Sequence, residues 1–329
     1  MNIQIDGTNT SNKGAELMLY AILEQIEKKG VNNTVYYNPN NTLNKISVDT
    51  SLKLKRRIGL IVARYPIALL SRLKMPFNFF TSKYAVDFVN VVFDGGGFQF
   101  SDQWKYSDTY LNTLEAYYKK LNSNGTKIIF LPQALGPFDT KSGKRTAEIL
   151  NKYADLIIAR EETSYNYILK ANVKSDKVKL FPDFTLPVKG QIPEKFLKLK
   201  GYVCIIPNKK MITHTEGISS AYVDFLKDII ARVGKKGFNV FLLNHEGDGD
   251  LEICKVVNKK FNNAFEIVTG LNAKEVKGVI GNSYIVISSR FHGVASSLSQ
   301  GVPCLSTSWN HKYEMLFKDF GQTDRVINV

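Results

Sequence analysis

The stretch that decides the fold is Tyr284-Ile-Val-Ile-Ser-Ser-Arg290-Phe-His292-Gly-Val-Ala-Ser-Ser-Leu-Ser-Gln-Gly301-Val-Pro303. It opens with a short apolar run, mostly β-branched, which predicts a buried strand. The small, semi-apolar residues that follow contain no helix breaker and predict a helix, which Gly301 and Pro303 end. Val302 to Ser306 then predicts another strand. A strand, a tight turn, a helix and a second strand indicate a parallel sheet with a right-handed crossover.

Two polar side chains follow the first strand of this unit. Arg290 and His292 come at its carboxyl end, the edge where open α/β sheets bind ligands, and the next helix presents free N–H groups there. Arg290 adds a fork of donors for carboxylate or phosphate, and His292 exchanges protons near neutral pH. His311 and Lys312 leave the next strand end on the same edge. We predict an anion site with acid–base capacity; the structural alternative is an ordinary ion pair beside a half-buried histidine.

Length and composition describe a globular chain of about two domains. There are 329 residues, of which 44% are hydrophobic and 12% aromatic, enough for packed cores at ~150 residues per domain. Cys204, Cys254 and Cys304 are widely spaced and form no motif, so neither a disulfide framework nor a metal site is expected. This cysteine usage is typical of a reducing, cytoplasmic setting.

The formal net charge of +14 suggests nucleic acid, an anionic membrane surface or an anionic small substrate as a partner. No zinc-finger or RNP-like motif is present, so nucleic acid is not expected. The start of the chain is unlike a signal peptide, and no apolar run is long enough to cross a bilayer. Residues 53–80 are basic and then apolar, a composition that fits an interfacial segment on anionic lipid at the inner face of the cytoplasmic membrane. An ordinary pair of helices with a solvated basic face is the alternative.

Small and polar residues also follow the strands of the first half of the chain. After Asn2–Asp6 comes Gly7-Thr-Asn9-Thr-Ser-Asn12-Lys13-Gly14-Ala-Glu16, and then a helix from about Ala15 to Lys28. This turn is neither a dinucleotide fingerprint nor a phosphate-binding loop, so an NAD-dependent oxidoreductase is disfavoured. Asn9, Asn12 and Glu16 suit hydrogen bonds to sugar hydroxyls, although a generic first turn of a Rossmann-like domain is the plain alternative.

Later strands end in the same way. Their ends read Asp94-Gly-Gly96-Gly97, Pro132-Gln133, Ala159-Arg160, Pro182-Asp183, Pro207-Asn208-Lys209-Lys210 and Asn244-His245-Glu246. A Pro- and Gly-containing seam near residues 187–200 separates two successive β/α arrays. We therefore predict an α/β fold of two Rossmann-like domains facing a cleft, residues 1–190 and 191–329.

In this order and spacing the motifs resemble the polysaccharide pyruvyltransferase family over nearly the whole chain. The resemblance rests on the Gly7–Glu16 segment, Asp94-Gly-Gly-Gly97, Pro132-Gln-Ala-Leu-Gly-Pro137, Ala159-Arg160-Glu-x-x-Ser164, Pro182-Asp183, Ile206-Pro207-Asn208, His245-Glu246-x-x-x-Asp250 and Ser289-Arg290-Phe291-His292-Gly293. It implies a fold like that of the B-type glycosyltransferases. It also implies transfer of pyruvyl from phosphoenolpyruvate to two hydroxyls of a sugar, which makes a cyclic ketal for a surface polysaccharide.

The resemblance also implies roles for individual residues. Arg290 and His292 match the family's Arg-x-His motif, which is tied to phosphoenolpyruvate, and Lys209 or Lys210 stands where a second family arginine is often found. The expected phosphoenolpyruvate-binding set is Arg290, His292, Gly293, Lys312, Asn208, Lys209 and Lys210, in the second domain. The expected acceptor-binding set is Asn9, Asn12, Glu16, Gly96, Gly97 and Gln133, in the first. A C-terminal helix often crosses back to the first domain in this fold, so a further segment beyond Val329 is expected.

The chemistry requires a general acid and a base. His292 is the first candidate acid and His245 the second, while Asp183, Asp94 and Glu16 are the candidate bases. No metal or cofactor is needed, and the acceptor is expected to be an oligosaccharide on a membrane lipid. The alternatives are a nucleotide-sugar glycosyltransferase of the same fold and a noncatalytic sugar- or membrane-binding scaffold.

Overall fold

The computed structural model of this chain describes residues 1–30, 33–37, 89–213, 219–308 and 312–327, together with the backbone of 54–57 and 83–84. For residues 219 and 220 it likewise describes the backbone only. The chain divides into two compact units, and each is built on a parallel sheet.

The first unit contains residues Met1–Thr10 and Met18–Phe184. Its strands are β1 (Asn2–Asp6), β2 (Thr34–Tyr37), β3 (Leu54–Arg57), β4 (Lys83–Tyr84), β5 (Val91–Asp94), β6 (Lys127–Gln133), β7 (Leu156–Ala159) and β8 (Val178–Leu180). They pair in the order β4-β3-β2-β1-β5-β6-β7-β8, all parallel. The carboxyl ends of β1, β5 and β6 are therefore neighbours, as the strand-end motifs predict.

The second unit contains residues Ser11–Leu17 and Thr185–Val329. Its strands are β9 (Val203–Ile206), β10 (Val240–Leu243), β11 (Ile267–Val268), β12 (Ile285–Ser288), β13 (Cys304–Thr307) and β14 (Val326–Ile327). They pair in the order β11-β10-β9-β12-β13-β14, again all parallel. β9, β10 and β12 are buried along nearly their whole length, as expected for strands covered on both faces. The prediction of two parallel α/β domains is thus confirmed.

Helices connect the strands in both units. They are α1 (Lys13–Lys28), α2 (Asp108–Ser123), α3 (Lys141–Tyr153), α4 (Glu162–Lys170), α5 (Lys210–Thr213), α6 (Ser219–Lys235), α7 (Gly247–Lys259), α8 (Ala273–Gly281), α9 (Phe291–Leu298) and α10 (Lys312–Asp319). α1 begins at Lys13 rather than at Ala15 because the Asn12 side chain accepts hydrogen bonds from Gly14 N and Ala15 N, at 2.8 and 3.2 Å. After α9, Gly301 adopts a φ of 72°, which confirms it as the helix-ending residue.

The two units meet in sequence at Phe184/Thr185, six residues before the predicted seam at 190/191. Residues 185–191 belong to the second unit because they are bonded to α8. The buried Lys277 ammonium donates to Thr185 O and Leu186 O, at 2.9 and 3.0 Å, and Gln191 N donates to Lys274 O. A boundary placed by proline and glycine content misses contacts of this kind.

The basic segment 53–80 is only partly covered by the structure. Leu54–Arg57 is strand β3, paired in parallel with β2. A strand at 54–57 differs from the alternative of a pair of helices at these four residues, and the peripheral-membrane prediction for the segment stays a prediction. Residues 58–80 lie outside the described residues. No helix in the described part of the chain is long and apolar enough to cross a membrane.

Candidate active site

The carboxyl edge of the second unit's sheet gathers most of the residues predicted to bind the donor. β10, β9 and β12 are adjacent strands, so the residues that follow them share one edge. His245 follows β10, Asn208 follows β9, and Arg290 follows β12. The sequence places these residues on three separate motifs, and the parallel register brings them together.

Arg290 is held by two acidic side chains. Its Nε and Nη2 donate to the two carboxylate oxygens of Asp250, at 2.8 and 2.7 Å, and its Nη1 donates to Glu246. These contacts use three of the five N–H groups of the guanidinium and leave one on each terminal nitrogen. The Arg290 side chain is 12% exposed and that of Asp250 is fully buried. Asp250 therefore fixes the orientation of Arg290, and two of the guanidinium N–H groups have no partner among the described residues.

Burial perturbs both members of this pair. It lowers the pKa of Arg290 to about 10, which still leaves the guanidinium charged at neutral pH. Burial also raises the pKa of Asp250, while a hydrogen bond from Lys209 N, at 2.9 Å, opposes that rise. The bidentate contact with Arg290 favours the carboxylate, and we therefore treat Asp250 as ionised in this site.

The roles of Glu246 and Asp250 were not predicted. Both appear in the family-like motif, but no role was assigned to them. α7 begins at Gly247, so Asp250 lies in its first turn. Two acids four residues apart lie on one side of a helix, where one cation can contact both. That the cation is Arg290, 40 residues away, depends on how β10, β9 and β12 pair.

The turn before Arg290 is fixed by Ser289, which sequence reasoning also missed. The Ser289 hydroxyl bonds with those of Tyr222 and Thr307, each at 2.6 Å. Its carbonyl accepts from Asn208 Nδ2 at 2.7 Å and from the Tyr313 hydroxyl at 2.9 Å. All these atoms are buried, so the network is rigid. Asn208, a predicted phosphoenolpyruvate ligand, uses its amide to hold this turn.

His292 lies in the first turn of α9 and is half-buried. The Phe291 ring stands edge-on to its imidazole, with centroids 5.2 Å apart. The backbone of Gly14 lies directly against the other side, since a Cβ built there would overlap the ring at Nδ1. At Gly293 a Cβ would meet the Ser288 hydroxyl, so this glycine lets α9 start close to β12. These neighbours hold His292 at the sheet edge with part of its ring exposed.

His245, the second candidate acid, lies in a different environment. It is 3% exposed, and its Nδ1 makes no hydrogen bond with any described residue. Burial lowers its pKa well below the usual value, and the charges of Arg290, His292 and Lys13 lower it further. At neutral pH the ring is therefore neutral. As a general acid it would have to act from the neutral form, which disfavours it relative to His292.

Residues 11–17 contribute to the same site although they precede most of the first unit. The Asn12 side chain donates to Glu246 Oε1 at 2.9 Å, and the backbones of these two residues form an antiparallel bridge. Lys13 bonds to Glu16 at 2.6 Å. Burial raises the pKa of Glu16, while Lys13 lowers it. Asn12 and Glu16 were predicted to bind sugar; the structure shows them bonded to neighbouring side chains.

Three lysines were predicted near the donor. Lys210 is half-buried, and burial together with the nearby charge of Arg290 lowers its pKa. Lys209 is exposed, with its backbone N–H on Asp250 and its aliphatic chain along Gly249. The Lys312 ammonium lies 5.6 Å from the centroid of the Phe291 ring. Lys210 is the lysine whose charge is coupled to Arg290. His311 lies outside the described residues.

Asp94 in the first unit is a buried carboxyl at the end of β5. Its Oδ1 accepts from Gly96 N at 2.9 Å and from Gln99 Nε2 at 2.6 Å. Burial, and secondarily the nearby Asp6, raise its pKa to about 7, against the two hydrogen bonds. Gly7 has a φ of 72°, which favours glycine, and its backbone packs on that of Gly96. A Cβ at Gly7 would overlap Gly96, so no side chain fits at this position.

The remaining predicted residues of the first unit differ in burial and in the contacts they make. Asn9 is half-buried, and Gly97 lies against the Met18 methyl group. Gln133 is fully buried, and its amide nitrogen and oxygen find no partner among the described residues. Asp183 forms a buried ion pair with Arg160 at 3.0 Å, which gives it a structural role and disfavours it as a base. The described residues include no group of three or more His, Cys, Asp or Glu arranged to hold a metal ion.

Fold and site together define a class of protein: a two-unit parallel α/β chain with an arginine and a histidine at one sheet edge. A family model described as polysaccharide pyruvyl transferase matches residues 12–311. The chain belongs to the polysaccharide pyruvyl transferase family, which confirms the resemblance and makes it a transferase of polysaccharide synthesis. No curated protein matched the sequence.

Solved structures similar to this chain belong to the B-type glycosyltransferase-like group. A putative UDP-N-acetylglucosamine 2-epimerase from Listeria monocytogenes superposes with a TM-score of 0.57 at 12% identity, over 93% of this chain and 78% of that one. S. aureus MnaA in complex with UDP gives 0.56 at 13% identity, over 93% and 78%. Anabaena Alr3699/HepE with UDP and glucose gives 0.55 at 10% identity, over 93% and 80%. At these identities the likeness concerns the fold, and it confirms the predicted one.

Proposed function

We propose that the protein transfers the pyruvyl group of phosphoenolpyruvate to two hydroxyls of a sugar and forms a cyclic ketal. The observation that carries the proposal is the arrangement of Arg290 and His292. Arg290 is oriented by Asp250 and has two N–H groups without a partner among the described residues, and His292 is partly exposed two residues further along, in the first turn of α9. A donor with a carboxylate and a phosphate suits the guanidinium, with Lys210 as the second cation.

The proposed reaction has two additions to the same carbon. His292 protonates C3 of phosphoenolpyruvate, which makes C2 electrophilic, and a sugar hydroxyl oxygen bonds to C2 as a base takes its proton. The C2–O bond to phosphate then breaks, and inorganic phosphate leaves. The second hydroxyl adds to C2, and its proton passes to the departing phosphate. One phosphate is released for each ketal, and the vinyl carbon becomes a methyl group.

Among the three candidate bases, Asp94 has the most suitable acidity. Its pKa of about 7 lies where a base is most effective at neutral pH, whereas Asp183 and Glu16 are bonded to Arg160 and Lys13. If Asp94 is the base, it must be ionised, so kcat/KM rises with pH through about 7. The Asp94→Asn variant should lack that rise. A wild-type profile that is flat between pH 6 and 8 would remove Asp94 from this role.

The donor is tested by thermal shift with phosphoenolpyruvate and with UDP. UDP is the probe for the alternative because S. aureus MnaA and Anabaena HepE were solved with it. We expect stabilisation by phosphoenolpyruvate that Arg290→Gln removes, with Arg145→Gln as the matched control on the surface of the first unit. Stabilisation by UDP alone would favour the nucleotide-sugar glycosyltransferase instead.

The reaction is tested by phosphate release and by mass spectrometry of galactose- and mannosamine-type acceptors. His292→Ala should lower turnover by ~10²–10⁴-fold without unfolding the protein. Unchanged turnover in this variant would exclude His292 as the acid. Sugar or lipid binding that is indifferent to both Arg290 and His292, without phosphate release, would instead support the noncatalytic scaffold.

We further propose a lipid-linked acceptor and a peripheral position at the cytoplasmic membrane. The support is the basic composition of residues 53–80 and the net charge of +14, since each basic residue near an anionic surface adds ~1 kcal/mol. Neutralising Lys55, Arg56, Arg57 and Arg64 should weaken cosedimentation with phosphatidylglycerol vesicles. Cosedimentation equal to that of the wild type would refute the membrane proposal and leave the reaction untouched.

A further inference from the structure

Four aromatic side chains gather on the loop that follows β5 and on the start of α2, all within the first unit. Phe98 and Trp104 lie with ring centroids 5.8 Å apart, and Tyr106 and Tyr110 stack at 4.3 Å with an interplanar angle of 22°. Tyr110 is 43% exposed, and the other three are half-buried. We call these four residues the aromatic platform. An exposed tyrosine that stacks on a second, half-buried one offers a flat apolar face with a polar edge, on which a ligand of the same character can pack.

Hydrogen bonds hold two rings of the platform and the backbone that carries a third. The Trp104 indole Nε1 donates to Phe98 O at 3.0 Å, and the Tyr106 hydroxyl donates to Gln99 O at 2.5 Å. The Tyr110 backbone N–H is capped by the Ser107 hydroxyl, at 3.2 Å. The Trp104 and Tyr106 rings are thus held by hydrogen bonds, and the Tyr110 ring stacks on that of Tyr106.

The loop itself is anchored to the body of the unit. Asp102 accepts from Asp139 N and Thr140 N, at 2.6 and 3.1 Å, and its own N–H donates to Pro137 O at 3.0 Å. Phe100 is 1% exposed, and its carbonyl accepts from Gly136 N. A surface that is ordered in advance loses little entropy on binding. The platform is therefore built as a rigid face.

Polar groups border the platform on the side of Asp94. The Gln99 amide donates to Asp94, and the Gln99 carbonyl holds Tyr106. Burial raises the pKa of the Tyr110 hydroxyl, and the charge of Asp94 raises it further, so Asp94 lies within electrostatic range of the platform. An aromatic face beside amide and carboxylate groups fits a ligand that is apolar on one face and hydroxylated at its edge.

We propose that the aromatic platform binds a pyranose ring of the acceptor glycan, with its C–H face on Tyr110 and Trp104 and its hydroxyls towards Gln99 and Asp94. This inference rests on the proposed function for the view that the acceptor is a sugar. The acceptor-binding residues predicted from the sequence are all Asn, Glu, Gly or Gln, and the platform adds aromatic residues to them.

The experiment measures sugar binding in the absence of phosphoenolpyruvate. The chain has two tryptophans, so Trp309→Phe leaves Trp104 as the only one, and its emission reports on the platform directly. The probe is an array of pyranose oligosaccharides that includes β-galactosides and N-acetyl-β-mannosaminides, followed by titration of the sugars that bind. Tyr110→Ala should weaken binding roughly tenfold through the lost stacking and contact area. Tyr110→Phe should retain it.

The matched control is Tyr284→Ala, which removes a 54% exposed tyrosine that stacks on Phe238 in the second unit. We expect this variant to bind like the wild type, and we expect bound sugar to change Trp104 emission. The proposal is overturned if no oligosaccharide on the array binds. It is also overturned if a bound sugar leaves Trp104 emission unchanged or binds Tyr110→Ala with undiminished affinity.

Phosphate release from phosphoenolpyruvate, measured on the same preparations, separates this inference from the proposed function. Sugar binding that depends on Tyr110, without pyruvyl transfer, would support the platform as a sugar site and refute the proposed reaction. Pyruvyl transfer whose acceptor KM is the same in Tyr110→Ala would keep the reaction and refute the platform.

Discussion

Gly14→Ala is expected to displace the His292 ring, because the two residues are in direct contact. Gly14 lies in the first turn of α1 with its backbone against the imidazole of His292. A Cβ at this position would lie 2.7 Å from Cε1 and 2.8 Å from Cγ of that ring, and closer still to Nδ1. Ordinary contacts between such atoms are ~3.5–4.0 Å. The ring or the helix must therefore move by roughly 1 Å to admit one methyl group.

The size of the effect follows from that displacement. Overpacking of this kind destabilises a protein by ~1–3 kcal/mol. A misplacement of ~1 Å in a catalytic group lowers the rate by ~10²-fold, which corresponds to about 2.7 kcal/mol in the barrier. We therefore expect kcat/KM for pyruvyl transfer to fall about a hundredfold and the free energy of unfolding to fall by ~1–3 kcal/mol.

The assay pairs acceptor-dependent phosphate release with urea unfolding, and the matched control is Gly234→Ala in α6. A Cβ at Gly234 meets nothing within 4 Å, so alanine there should stabilise the helix by ~0.5–1 kcal/mol and leave activity unchanged. The double variant Gly14→Ala/His292→Ala isolates the contact, because removing the ring makes room for the methyl group. If Gly14→Ala is fully active, or equally destabilising with and without the His292 ring, the reasoning is refuted.

Three further predictions concern buried polar groups. Asp250→Asn breaks the bidentate pair and leaves Arg290 partly uncompensated, so it should lower the free energy of unfolding by ~3–5 kcal/mol; a loss below 1 kcal/mol in urea titrations would contradict this. The pKa of Asp94 is raised from 3.8 to about 7 in the folded state, so its stabilising contribution is present below pH 3.8 and is lost as pH rises through about 7. Wild type should therefore lose stability relative to Asp94→Asn between pH 5 and pH 8. A difference in unfolding free energy that stays constant over this range would contradict the raised pKa of Asp94. Gln133→Met removes a buried amide that lacks partners among the described residues; it should raise unfolding stability by ~1–3 kcal/mol and raise the acceptor KM, and an unchanged KM would show that Gln133 does not contact the sugar.

Local patterns were sufficient to predict the repeating unit of the fold. Strand β12, helix α9 and the glycine that ends the helix all follow from apolar runs and breakers within a single stretch. The strand-end residues then follow from the rule that parallel strands align their carboxyl ends. Strands β3 and β4 were not predicted because their residues are mostly basic and form no apolar run, and β14 was not predicted because it has only two residues.

Partners within the site could not be predicted, because they depend on which strands are neighbours. Nothing in the sequence near Arg290 indicates that Asp250 takes two of its donors. Likewise, the many bonds of Ser289 become visible only once β9, β12 and β13 are paired. A motif identifies residues that matter, but tertiary pairing decides whether each one binds a ligand or supports a neighbour.

The polar motifs of the second unit bind one another, and this constrains how an anion can enter. Asn12 and Arg290 both bond to Glu246, whose side chain is 28% exposed and thus more accessible than those of Arg290 and Asp250. The Asp250 side chain is fully buried, and if it moved away from Arg290 the buried guanidinium would lose its main counter-charge. An incoming phosphate or carboxylate therefore has two routes to Arg290: the two N–H groups that remain, or the place of Glu246. On the second route the donor anion would replace the Glu246 carboxylate, so the charge of Arg290 would stay compensated. The donor would then have to bind Arg290 at least as strongly as Glu246 does.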